Sequence, residues 1–206
     1  MDDKLHEILE QVYGLYNLYG IKSITMDDVA RELGISKKTL YQYVDDKAEL
    51  VEKVMVMNAG RHSREIAKIT AKKQNAIIEL LEVNAYMNEM MKEHNPTLDY
   101  DLKKYYPAIH RKLITESRNR MLEAIRINLV KGQHEGLYRT DMDVDIISKI
   151  HVTRLEYRYT TDTVSHEEAV TPKMLKEIFI YHLHGIANER GLEVLSEKLN
   201  QYINAD

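Results

Sequence analysis

An all-α fold is predicted by three observations, with a small three-helix head preceding a larger helical bundle. The 206 residues include only three prolines and eight glycines, too few for the many turns of an all-β chain. Alanine, leucine, lysine, glutamate and methionine, the strong helix formers, are plentiful. Apolar residues recur at i, i+3, i+4 and i+7 along nearly the whole chain. The length suits a small head of residues 1–47 followed by a body of residues 48–206.

The first helix carries Leu5, Ile8, Leu9, Val12, Leu15, Tyr16 and Tyr19 on one face, and Gly20 stops it. Thr25 and Asp28 then have the spacing of a capping box, with Ile24 and Val29 at the two staple positions around it. Val29, Ala30 and Leu33 form the inward face of the second helix, and Gly34 supplies a left-handed turn residue. The start signal repeats at once: Ser36 is the next N-cap, with Ile35 and Leu40 as its staple. Leu40 and Val44 point inward, which leaves Lys37, Lys38, Tyr41 and Gln42 on the outer surface. Asp45 or Asp46 caps a further helix, in whose first turn Lys47 opposes the helix dipole. A nearby phosphate would account for a cation there.

Beyond Leu50 the pattern predicts helices at about 46–70, 74–94, 98–105, 107–134, 144–162, 172–190 and 192–203. Pro96, Pro107, Gly136, Pro172 and Gly191 punctuate them.

Net charge is −4. Residues 1–50 contain six Lys/Arg and ten Asp/Glu, so the head is itself acidic and the rest is neutral. Positive character survives only from Ser36 to Tyr43, which holds two lysines and no acid. Because fields act over about 10 Å in moderate salt, the local sign matters more than the total. Modest or strongly salt-sensitive DNA binding is therefore expected. The chain has no cysteine, which excludes disulfides and thiolate metal sites. The N-terminus has acids where a signal peptide needs bases, and no window approaches the roughly 18 apolar residues of a membrane span. A cytoplasmic protein without membrane partners is expected.

The run TMDDVARELGISKKTLYQYVDDKAEL resembles the N-terminal signature of TetR-family transcriptional regulators. Thr25, Ala30, Gly34, Thr39, Leu40, Tyr41, Tyr43, Lys47 and Leu50 fall where that signature expects such residues. Val44 stands where the family more often has phenylalanine, which keeps an apolar plug but loses volume. The resemblance implies an all-α homodimer whose helical body binds a small-molecule effector. The head binds double-stranded operator DNA, and the effector alters the spacing of the two heads.

On this reading Lys37 and Lys38 contact phosphates or a guanine edge, and Gln42 reads adenine or is an ordinary exposed residue. Tyr41 and Tyr43 each place a hydroxyl on phosphate or pack into the head. Thr25, Ser36, Thr39 and Lys47 complete the expected DNA-facing set. Ten methionines and fourteen tyrosines beside one phenylalanine and no tryptophan suit an adaptable amphipathic pocket. Tyr86, Met87, Met90, Tyr105, Tyr106, Met121 and Ile125 are its candidate lining. Two apolar helices are the candidate dimer contact, through Ile150, Leu155, Ile178, Phe179, His182, Gly185 and Ile186. Close helix approach would explain the cost of Gly185.

No metal, cofactor or catalytic site is expected. Asp141, Asp143 and Asp145 alternate like an EF-hand start, but Ile146 and Val152 occupy the positions that need glycine and glutamate. Asp143 is read instead as a helix cap. His182 and His184 lie roughly 200° apart around a helix and cannot easily share an ion. No catalytic motif appears. A ligand-responsive DNA-binding regulator, a repressor released from a two-fold symmetric operator by a small-molecule effector, is thus one reading; a helical protein–protein interaction module with a degenerate, non-DNA-binding head is the alternative.

Overall fold

The computed structural model describes residues 3–92, 95–156 and 171–203. Among these residues it contains ten helices: α1 (Asp3–Tyr19), α2 (Met26–Glu32), α3 (Lys37–Leu40), α4 (Lys47–Thr70), α5 (Ala76–Lys92), α6 (Pro96–Tyr105), α7 (Pro107–His134), α8 (Val144–Glu156), α9 (Pro172–Ile186) and α10 (Glu189–Ile203). The ends of two predicted helices, at 93–94 and 157–162, lie outside the described residues. The chain divides into two compact units, Met1–Glu65 with Lys92–Ser117, and Ile66–Met91 with Arg118–Asp206.

The first unit is built around α1 to α4 and α6. Ile8, Leu9, Val12 and Tyr16 of α1 meet Val29 and Ala30 of α2, Leu40 of α3, Val44, and Leu50, Val51 and Val54 of α4. Leu98 and Leu102 of α6 close the same core. Val44 is fully packed despite its small volume. The expected caps form: Thr25 and Asp28 make a reciprocal capping box, and Ser36 accepts the Thr39 N–H. Asp46, rather than Asp45, caps α4 by accepting the Glu49 N–H at 2.8 Å. Asn95 caps α6, which starts at Pro96, two residues before the predicted start. Gly20 (φ +79°) and Gly34 (φ +63°) supply the two left-handed turns.

The second unit packs Ala76, Ile77, Leu80 and Leu81 of α5 against Ile125 and Leu129 of α7, Phe179, Leu183 and Ile186 of α9, and Leu195 of α10. A buried polar group locks the start of α5. Asn128 donates to Ala76 O and Glu79 Oε1, both at 3.0 Å, and Lys131 donates to Glu79 Oε2 at 2.6 Å. The Tyr138 hydroxyl donates to Asn128 at 3.1 Å, and Glu135 accepts the Ala76 N–H at 2.7 Å. Each member is satisfied, so the group specifies one arrangement of α5 on α7 instead of costing stability.

Gly191 does not end a helix, as the sequence pattern predicts. The break falls at Ala187–Asn188, where Arg139 N–H donates to Ile186 O and Asn188 N–H donates to Leu137 O. Asn188 then caps α10 by accepting the Gly191 N–H at 3.0 Å. Gly191 is needed for space, since a Cβ there would lie 2.1 Å from Leu137 O. Gly132 is tighter still, with a Cβ falling 2.0 Å from the Tyr138 ring. Gly185 has the opposite surroundings: among the described residues, nothing beyond its own helix backbone and chain neighbours lies within 4 Å of an added Cβ.

Two substitutions separate these roles. Gly132→Ala should lower stability by about 1–3 kcal/mol through overpacking. Gly14→Ala, in the interior of α1 with open space around it, should raise stability by roughly 0.5–1 kcal/mol. Urea denaturation midpoints of the two variants, moving in opposite directions, check the assignment.

Candidate nucleic-acid interface

The outward surface of α2, α3 and the turn after α3 gathers most of the polar residues expected to face DNA. Their positions follow from what the chain buries. Leu40 and Val44 are drawn into the core, and α3 is only one turn long. Its remaining positions therefore face outward. Lys37, Lys38, Tyr41 and Gln42 are all exposed, while Thr39 is partly so. Tyr41 and Tyr43 separate: Tyr41 is 42% exposed, whereas Tyr43 packs against the head core. Ser36 and Thr39 are tied together by a 2.8 Å hydroxyl contact at the start of α3.

Three further side chains of the expected DNA-facing set also have protein partners. The Thr25 hydroxyl donates to Asp28 Oδ2 at 2.6 Å while accepting the Asp28 N–H at 3.1 Å. Its proton is thus committed to the capping box. Lys37 pairs with Asp27 Oδ1 at 2.9 Å, which holds the lysine pKa above its ordinary value. Lys47 turns inward and donates to Ile21 O at 2.6 Å. Burial lowers its pKa, opposed by the carboxylates of Asp101 and Asp28. The cation at this helix start, which the sequence suggested a phosphate would explain, is satisfied by carbonyls of the α1–α2 turn. Among the described residues, Lys38 pairs with no carboxylate.

Sequence reasoning missed the residue that orders that turn. Asp101 of α6 is buried and its Oδ2 accepts the Lys22 N–H at 2.8 Å. The same oxygen would lie 3.1 Å from a Cβ on Gly20. Nothing local marks Asp101, since it acts over 79 positions of sequence. The two α6 tyrosines expected in a pocket contact the head: Tyr106 packs on its core, and Tyr105 lies beneath Lys22, 5.1 Å from its ring centroid.

In the second unit, Tyr86, Met87 and Met90 of α5 and Met121 of α7 are half-buried, and Ile125 is buried. Two surface hollows occur there. One, of about 290 Å³, is lined by Asn119, Leu122, Glu123, Arg126, Asp145, Ser148 and Lys149. The other, of about 350 Å³, lies over Arg126, Ile127, Val130 and Lys131. Neither is lined by the candidate pocket residues. Of the candidate dimer residues, Phe179 and Ile186 belong to the unit's own core, and His182 is buried against His151 at 4.2 Å between ring centroids. Ile150 and Gly185 are exposed and Ile178 is half-buried, while the Leu155 side chain lies outside the described residues. Among the described residues, no group of three metal-ligating side chains forms.

Residues 8–54 match the family described as "Bacterial regulatory proteins, tetR family". This amino-terminal segment is thus similar to the DNA-binding segment of TetR-family regulators. Its fold is similar to a TetR-family transcriptional regulator from Cytophaga hutchinsonii (TM-score 0.71, 15% identity, covering 91% of this chain and 96% of that one). It is also similar to a transcriptional regulator from Saccharomonospora viridis solved in complex with choline (0.65, 17%, 92% and 100%). A gamma-butyrolactone receptor shares the fold as well (0.61, 16%, 98% and 99%). No curated protein matches the chain. The helix-turn-helix head, which the family match covers, supports a DNA-binding role in transcriptional regulation.

The capping box predicts an acid limb in stability. The Thr25 hydroxyl and backbone, with the Arg31 guanidinium, lower the Asp28 pKa from 3.8 to about 2. Because the folded pKa is depressed, the contribution is complete above the unfolded value and is lost as pH falls from about 4 to about 2. Asp28→Asn should therefore be less stable than the native protein at pH 6, with the gap closing below pH 4. Urea midpoints measured across that range check the sign.

Proposed function

We propose that this protein is a dimeric, ligand-responsive transcriptional regulator, a repressor released from its operator by a small-molecule effector. Residues 1–47 form the DNA-binding domain, and residues 48–206 form the effector and dimerisation domain. The observation that carries this reading is α3. It is capped at Ser36 and plugged by Leu40, and it turns Lys37, Lys38, Tyr41 and Gln42 outward together. The side chains match what a major groove and its phosphates recognise. Two copies related by a two-fold axis would read a two-fold symmetric operator.

The effector reading is supported by the half-buried tyrosine and methionine side chains of α5 and α7. It is supported also by the choline complex and the butyrolactone receptor among the structural neighbours. The alternative, a protein–protein module with a degenerate head, draws on the head's acidity and on the Lys37–Asp27 pair. Among the described residues no helix is long and apolar enough to cross a membrane.

Gel-shift with the DNA flanking the protein's own gene discriminates the two. Salt-sensitive binding below about 10 µM is expected, since non-specific affinities alone fall at 10⁻⁴–10⁻⁶ M. Absence of any such binding would overturn the regulator reading. The Lys37→Ala, Lys38→Ala pair of substitutions should weaken binding and flatten the salt slope by about one unit per phosphate contact removed.

The dimer contact is assigned to the exposed or half-buried part of the predicted set, Ile150, Ile178 and Gly185, extended by Ile146 and Tyr181. On α8 and α9 the apolar residues left exposed are Ile146, Ile150 and Tyr181, the last at 81%. Ile178 and Gly185 continue the Tyr181 stripe, at i−3 and i+4. A second subunit approaching there would also use the open space on the Cβ side of Gly185. Ile150→Glu with Tyr181→Glu should convert the dimer to monomer in sedimentation velocity without loss of helical circular dichroism. A dimer that persists would remove these residues from the interface.

A further inference from the structure

The recognition surface contains a carboxylate whose one partner is a lysine expected to bind DNA. Asp27 and Asp28 are adjacent acids in the first turn of α2, but their work differs. Asp28 accepts from the Thr25 N–H, the Thr25 hydroxyl and Arg31, and so holds the cap. Asp27 takes no part in the cap. Both of its oxygens face the Lys37 ammonium, at 2.9 and 3.1 Å, across ten residues of sequence. The two side chains remain open to solvent, 68% for Asp27 and 49% for Lys37.

Resting on the DNA-binding reading, we propose that Asp27 is an affinity-setting residue that withholds Lys37 from duplex DNA. With Asp27 in place, α3 presents one unpaired ammonium, that of Lys38, instead of two. A phosphate must displace Asp27 to reach Lys37, and the displaced carboxylate is left near the DNA backbone. Placing a repulsive group beside an attractive one is a general route to selectivity. Here it keeps a single head weak, so that useful affinity needs two heads engaged together. The pair is solvent-exposed, so its effect is graded: such pairs are worth about twofold to fivefold in an equilibrium constant.

A double-mutant cycle on the full-length protein tests this with Asp27→Asn, Lys37→Ala and their combination, titrated into a fluorescent duplex of random sequence at several salt concentrations. Asp27→Asn should tighten binding by about twofold to fivefold per head and steepen the salt slope by about one unit per head. In the Lys37→Ala background the gain should shrink to the residual effect of removing one negative charge. Equal gains in the two backgrounds, or no gain in either, would overturn the proposal while leaving DNA binding intact. If native protein and all variants fail to bind any duplex below about 10 µM, the DNA-binding reading itself fails, and this proposal with it.

Discussion

A recognition helix of one turn cannot sustain itself. Isolated helices shorter than about 12–15 residues are marginal in water, and α3 has four. Its existence depends on what is imposed from both ends and from beneath. Ser36 satisfies the Thr39 N–H at the start. Leu40 is wholly buried against α1, α2 and α4, and Val44 anchors the chain just beyond. Lys53 then reaches back from α4 to accept no proton but to donate to the Tyr43 carbonyl at 2.7 Å. The outward orientation of Lys37, Lys38, Tyr41 and Gln42 is thus a by-product of burying two apolar side chains. Loss of the Leu40 plug would scatter Lys37, Lys38, Tyr41 and Gln42 without touching any of them.

The head resolves its charge by the same economy of local pairing. Ten acids against six bases in the first fifty residues would repel a polyanion, yet several of the acids have structural work that keeps them in place. Asp28 is spent on Thr25 and Arg31, and Asp46 on the Glu49 N–H. Glu49 accepts the Asp45 N–H, which with Lys53 holds its pKa below the ordinary value. Caps at helix starts want carboxylates, so the features that make the fold definite also make it acidic. The cost falls on DNA affinity, where only α3 is locally basic.

How much of this was legible follows from how far each interaction reaches. Both caps of the helix-turn-helix, its staples, and the inward Leu40 and Val44 are relations between residues at most five apart, and sequence alone places them. The fates of Lys47 and Asp101 are not local. Lys47 finds Ile21 O across 26 positions, and Asp101 finds Lys22 N across 79. Gly191 shows a different limit. A glycine that ends a helix and one that admits a neighbouring backbone look identical in sequence, and only the passage of Leu137 O tells them apart.

The body poses the same ambiguity at the scale of a helix face. α9 carries two adjoining apolar stripes. The broader, with Phe179, Leu183 and Ile186, is the more hydrophobic in sequence, and the candidate dimer residues of α9 come from both, Ile178 and Gly185 lying on the other. The broader stripe is consumed by the subunit's own core. With that face buried in the chain's own core, the stripe that the proposed dimer would use is the weaker one of Ile178, Tyr181 and Gly185. Tyrosine and glycine suit that position: one offers large contact area with a polar tip, the other lets a partner helix come close. On the dimeric, ligand-responsive reading proposed above, an interface made from such a remainder would be moderate in strength, which would let a ligand of ordinary affinity shift the relation between two subunits.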